Sequence, residues 1–86
     1  MNFQFFRFFL KDFLSKYNFY VGFQINEFSS SENITKIKMY LTTNRDKEKM
    51  LYDISEKLHQ ECCIRFNMIY MSFTIRRPGL AEIEIK

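Results

Sequence analysis

The chain of 86 residues has no tryptophan, one histidine, one proline, two glycines and two cysteines. Each scarcity closes a route to function. A single histidine, His59, leaves a nucleophilic relay almost no choice of base and rules out a histidine-rich metal centre. Two glycines, Gly22 and Gly79, cannot build the glycine-rich loop that cradles phosphates in P-loop or dinucleotide-binding proteins. Cys62 and Cys63 are adjacent, a spacing that strains any bridge between them. A disulfide scaffold is therefore excluded, and a reducing compartment is expected. No uncharged apolar run approaches the roughly 20 residues of a spanning helix.

Small apolar residues are scarce as well: Ala81 is the only alanine and Val21 the only valine. Folding does not penalise alanine, the best helix former, and average soluble domains are rich in both residues. Phe, Tyr, Met, Ile, Asn and Lys supply about half of the chain instead, with 11 Phe, 5 Tyr and 5 Met. That skew is the mark of a very AT-rich genome, such as that of an organelle, an apicomplexan, a microsporidian or a phage. Aromatics at 19% also give a chain of this length enough ring area to bury one core without metal or disulfides. A single domain over 1–86 is expected.

The stretch MNFQFFRFFLKDF concentrates this aromatic character. At about 100° per residue, Phe3, Phe6, Phe9, Leu10, Phe13, Leu14 and Tyr17 share one arc, and Gln4, Arg7, Lys11 and Ser15 the other. The pattern predicts an amphipathic helix over 3–17 that packs on a sheet, with a helix lying in a membrane interface as the alternative. Arg7, Lys11 and Asp12 exclude a membrane span. The charges inside the apolar run also disfavour a secretory signal, and the weight of Phe disfavours a mitochondrial presequence. Phe8 falls on the polar side and Phe5 on its edge, which marks both as protein-contact residues.

Beyond Asn18, FYVGFQINEF (19–28) and TKIKMYLT (35–42) alternate apolar and polar residues and predict a hairpin around the turn segment SSSEN. A helix over 45–61 follows, with Thr43 or Asn44 as its cap and Leu51, Ile54 and Leu58 as its inner stripe. A long strand is predicted over 63–76, with a bulge or break near Met68–Ile69 where the apolar phase changes. Arg77-Pro78-Gly79 reads as a tight turn before a last strand over 81–86. The expected fold is α+β, in the order α-β-β-α-β-β, with two helices packed on one mostly antiparallel sheet.

Chemistry is thinly represented. His59, Cys62 and Cys63 form the one cluster with metal-ligating side chains, and no fourth zinc ligand accompanies them. No base or oxyanion site serves a nucleophile, so a non-enzymatic protein without cofactor or small-molecule substrate is expected. The charge of +3 and pI near 9.0 favour a polyanionic partner. Lys36, Lys38, Arg45, Lys47, Arg65, Arg76 and Arg77 are the candidate phosphate contacts, and Tyr40 a candidate stacking platform beside them. Lys49 and Tyr20 belong to the same two groups.

The stretches DFLSKYNFYVGFQINEFSSSENITKIKMYLTT and RDKEKMLYDISEKLHQECCIRFNMIYMSF follow one another as helix, hairpin, helix, strand. In this order the chain resembles the type II KH-like domain of a small-subunit ribosomal protein. The family's Gly-x-x-Gly loop is absent, because TTNRDKEK passes straight into a helix, so backbone clamping by that loop is not implied. The resemblance implies contact with ribosomal RNA and neighbouring ribosomal proteins. Organelle genomes retain chiefly hydrophobic respiratory subunits and basic ribosomal proteins, and a mean hydropathy of −0.29 disfavours the former. The sequence thus predicts a structural RNA-binding component of a mitochondrial ribosome, encoded in the organelle and located in its matrix. The alternative is a small accessory subunit of a respiratory or other assembly, docked through the Phe-rich helix; a phage- or virus-encoded binding protein comes third.

Overall fold

A computed structural model of the protein describes residues 2–30 and 34–86. Helix α1 (Phe3–Ser15) precedes a hairpin of β1 (Val21–Ser30) and β2 (Ile34–Thr43). A 3₁₀ turn (Arg45–Lys47), helix α2 (Met50–Phe66) and a second hairpin of β3 (Met71–Arg77) and β4 (Leu80–Ile85) follow. The α-β-β-α-β-β order and the α+β class agree with the sequence pattern. All three strand pairings are antiparallel, in the order β1-β2-β4-β3, so the two hairpins meet along β2 and β4. Positions 31–33 of the SSSEN turn segment lie outside the described residues.

Strand alternation decides which face the helices cover. Ile37, Met39 and Leu41 of β2 and Ala81, Ile83 and Ile85 of β4 all point inward and are buried. Helix α1 meets them with Phe6, Leu10 and Leu14, and α2 with Leu51, Ile54, Leu58 and Cys62. Asn2 caps α1, its side-chain oxygen accepting from the Phe5 N–H at 2.8 Å, which satisfies one of the orphan donors of the first turn. Ser55 is the buried polar residue of the core, and its hydroxyl donates to the Leu51 carbonyl at 2.7 Å.

A line of rings joins the elements. Phe6 is fully buried and lies 5.5 Å from Phe28 of β1, 5.8 Å from Phe9 and 6.3 Å from Phe66 of α2. The line continues from Phe9 through Phe13 and Tyr17 to Phe19, at centroid spacings of 5.8–6.2 Å. These offset and edge-on geometries are the ones the ring quadrupole favours.

Several boundaries differ from the sequence expectation: the strands of 19–28, 35–42 and 81–86 are shifted or extended by one or two residues, to Val21–Ser30, Ile34–Thr43 and Leu80–Ile85. Helix α1 stops at Ser15 rather than 17. Helix α2 starts at Met50 after the 3₁₀ turn, and Asn44 makes no side-chain cap. The largest correction lies at 62–70: α2 runs on to Phe66, so no strand starts at Cys63 and no bulge lies near Met68–Ile69. Asn67 ends the helix in the left-handed conformation (φ 57°), its N–H bonded to the Cys62 and Cys63 carbonyls. The change of apolar phase read there is the change from helix to strand. The strand β3 begins only at Met71, and its register break falls between Ile75 and Arg77.

Because Phe6 bridges three elements, Phe6→Ala is expected to lower stability by about 3–5 kcal/mol, as for other buried Phe truncations. Phe5→Ala, on the solvent side of the same helix, is expected to change it by less than about 0.5 kcal/mol. Urea unfolding of the two variants measures both, and equal losses would show that α1 is not held by its inner face.

Candidate nucleic-acid interface

With both helices on one side, the opposite face of the sheet is open, and its polar residues form cross-strand rows. From the register, Lys38 lies between Glu27 of β1 and Glu84 of β4, and Tyr40 between Gln24 and Glu82. The next row holds Gly22, Thr42, Leu80 and Arg77. Three cations on or beside this face carry carboxylate partners: Lys36 with Glu27 at 3.4 Å, Arg76 with Glu82 at 3.6 Å and Lys86 with Glu84 at 3.4 Å. Such partly exposed pairs add little stability, but they cancel the field a polyanion would feel. Most of the open face is therefore charge-balanced.

The register break in β3 separates its two arginines in role. The extra residue lets Arg76 and Arg77 both project to the open face, where Arg76 reaches Glu82 and Arg77 does not. Arg77 lines a shallow depression with Tyr20, Gln24, Tyr40, Thr42 and Leu80. Gly22 makes room for this arrangement, because a Cβ there would collide with the Tyr20 hydroxyl and with Thr42 Oγ1. Thr43 Oγ1 donates to the Tyr20 carbonyl at 2.8 Å and fixes the entry into β1.

The Pro78-Gly79 turn then brings a second basic group alongside. Gly79 has φ +80°, and a Cβ on it would lie 2.7 Å from the Thr43 carbonyl oxygen. Its own carbonyl accepts from the Thr43 N–H at 3.0 Å, and its N–H donates to the Glu48 carboxylate. These bonds dock the turn on the 3₁₀ segment, with the Arg45 backbone next to it. Arg45, Lys47, Lys49 and Arg77 thus occupy one end of the sheet. None of the four makes an ion pair among the described residues, and Lys47 instead sits 5.8 Å over the Phe19 ring. Asp46 and Glu48 are the acids of that segment, and Glu48 is engaged by Gly79. Positive charge is in excess there.

The structure does not bring all the candidate contacts together. Tyr40, Arg45, Lys47 and Arg77 gather at the basic end, with Tyr20 and Lys49. Lys36 lies towards the far end of β2, and Lys38 stands between two acids. Arg65 is on the last turn of α2, paired with Glu61 at 3.1 Å and stacked 5.2 Å from Phe9. Phe5 and Phe8 are 56% and 71% exposed on the outer side of α1. Sequence pattern alone did not reveal the docking of Gly79 on Thr43 and Glu48; the only local hint was Gly after Pro in a turn.

At the cysteines, burial pushes the Cys62 thiol up to about 12, with Cys63 and Glu61 adding to the effect and Arg65 opposing it. A thiol held neutral in this way is not a nucleophile at neutral pH. The Cys63 thiol donates to the Met68 carbonyl at 2.8 Å and lies 3.5 Å from His59 Nε2. Among the described residues no three His, Cys, Asp or Glu side chains converge as a metal site would require. Among the described residues no helix is long and apolar enough to cross a membrane.

Comparison with protein-family models, with curated proteins and with solved structures finds no match to this chain.

Gly79→Ala is expected to destabilise the protein by about 1–3 kcal/mol, since a side chain is strained at this φ whatever the space around it. The shift of the thermal midpoint measures this. A change no larger than that of an exposed-surface substitution would mean that Gly79 does not hold its left-handed conformation.

Proposed function

We propose that this protein is a structural, RNA-contacting component of a ribonucleoprotein, and that the particle is the ribosome of an organelle, the mitochondrion. One observation carries the RNA reading. Arg77 lines a depression with Tyr20 and Tyr40, and Arg45, Lys47 and Lys49 follow on the segment docked against its turn. None of the four has a carboxylate partner among the described residues, while Lys36, Arg76 and Lys86 of the open face are paired. Unpaired cations bind phosphates by releasing condensed counterions, and adjacent tyrosines give bases or riboses a stacking surface. The contact positions the protein on folded RNA without reading sequence. The ribosome and the matrix location rest on the AT-rich composition, the charge of +3 and the likeness to a ribosomal KH-like domain. No catalytic step belongs to this role.

A second reading is favoured by the exposure of Phe5 and Phe8. They lie on the side of α1 that faces away from the sheet, next to Arg7 and Lys11, where a partner protein could cover them. In that reading the chain is an accessory subunit of a respiratory or other assembly.

The two separate in one titration against a folded RNA hairpin at several salt concentrations. Arg45→Ala and Arg77→Ala are each expected to weaken binding and reduce the log–log salt slope by about one. Lys36→Ala and Arg76→Ala, already neutralised, are expected to leave the slope nearly unchanged. Tyr40→Ala is expected to cost about 1–3 kcal/mol at constant slope. Salt-insensitive association with a protein, lost on Phe5→Ala or Phe8→Ala and indifferent to the arginines, would replace the first reading by the second.

A further inference from the structure

The two edges of the sheet are built differently. β1 carries two register breaks, between Ile25 and Glu27 and between Ser29 and Ser30, and a charge at Glu27. Bulges and charges are the usual means of keeping an edge from pairing with another chain. β3 has neither over Met71–Ile75 (MSFTI); its break comes after Ile75, followed by Arg76 and Arg77. Five regular residues without charge, proline or glycine therefore lie on an open edge.

The hydrogen-bonding phase of that edge follows from its first residue. The Tyr70 N–H donates to the Lys86 carbonyl at 2.8 Å, and the Lys86 N–H donates to the Tyr70 carbonyl at 3.0 Å. Tyr70, Ser72 and Thr74 thus direct their backbone groups to β4, and Met71, Phe73 and Ile75 direct theirs outward. No backbone partner of those outward groups occurs among the described residues. The side chains of the same three residues lie on the helix-covered face, beside Tyr52 of α2. Tyr52 packs edge-on against Phe73 at 5.2 Å yet is 51% exposed, and Ile75 is 41% exposed. Both the hydrogen bonds and the apolar layer stop short at this edge.

We propose that β3 is a dimerisation edge, joined by β3 of a second copy of this chain in antiparallel register about a twofold axis at Phe73. The strand is self-complementary in that register. Phe73 faces Phe73, Met71 faces Ile75 on either side, and all three outward-directed residues are used twice. A shift of two residues in either direction leaves one of them unpaired. On the open face Ser72 faces Thr74. The arginines fall beyond the paired segment, Arg76 towards Tyr70 and Arg77 towards Ile69, so no like charges meet, which is the charge condition a self-pairing edge must satisfy. The product is one continuous eight-stranded sheet, with Tyr52 and Ile75 of both copies covered at the seam. Arg45, Lys47 and Lys49 of each copy lie outside β3, and Arg77 lies beyond the paired segment, so the dimer does not depend on the RNA reading.

Light scattering on the eluting protein, over a range of concentrations, is expected to show a dimer for the wild type. Ile75→Lys, which places a charge in the seam, is expected to weaken it by about tenfold or more and leave the far-UV circular dichroism unchanged. Register is read by cross-linking. In a Cys63→Ser background, oxidation of a mixture of Ser72→Cys and Thr74→Cys chains is expected to give a covalent dimer, and either variant alone little. A wild-type protein that is monomeric up to its solubility limit overturns the proposal. So does a dimer that survives Ile75→Lys, or cross-linking no greater in the mixture than in each variant alone.

Discussion

Phe6 is the contact on which the rest of the structure depends. It is buried in full, and its ring meets rings from β1, from α2 and from its own helix. The sheet is a pair of hairpins, each of which could form locally, and α1 crosses only the outer part of it. Without Phe6 and its neighbours, no large side chain would tie the amino-terminal helix to the end of α2 some sixty residues later. A chain with one alanine and one valine has few small side chains with which to bring helices close together. It substitutes large rings that bridge wider gaps, and the aromatic line along α1 is the result.

That solution has a consequence for the surface. Two helices cover one face of four strands, so the polar face and both edges remain open. On the open face most cations are matched by acids across the strands. The break in β3 then sets Arg77 apart from Arg76 and leaves it beside the 3₁₀ segment. Pairing of Lys36, Arg76 and Lys86 weakens the positive field of this face away from that end. This matters more for a polyanionic partner than the total of +3 does.

The apolar surface follows the same logic. Phe5 and Phe8 on α1, and Tyr52 and Ile75 at the β3 edge, lie on opposite flanks of the molecule. The basic end adjoins the second of these flanks through Arg77, two residues beyond Ile75 on β3. Apolar and basic surfaces are thus both exposed on a chain of this size.

The class of the fold and the faces of most elements were legible in the residue pattern. Period-two alternation in β2 and β4 and the wide apolar arc of α1 admit one arrangement, because each buries its apolar side only against the other. The residue pattern also determined the absence of a disulfide framework and of a glycine-rich phosphate loop. The stretch ECCIRFNM could not be resolved locally. Cys62 and Phe66 continue the helical stripe from Leu58, while Ile64, Phe66 and Met68 alternate as a strand would. Tertiary packing decided it: Cys62 is buried in the core and Phe66 closes on Phe6 and Phe9, contacts that only a helix provides. Likewise, candidate cations could be named, but the pairing of those on the sheet with acids depends on strand register. Glu27 meets Lys36, and Glu82 meets Arg76, across strands whose alignment is set by the core on the other face.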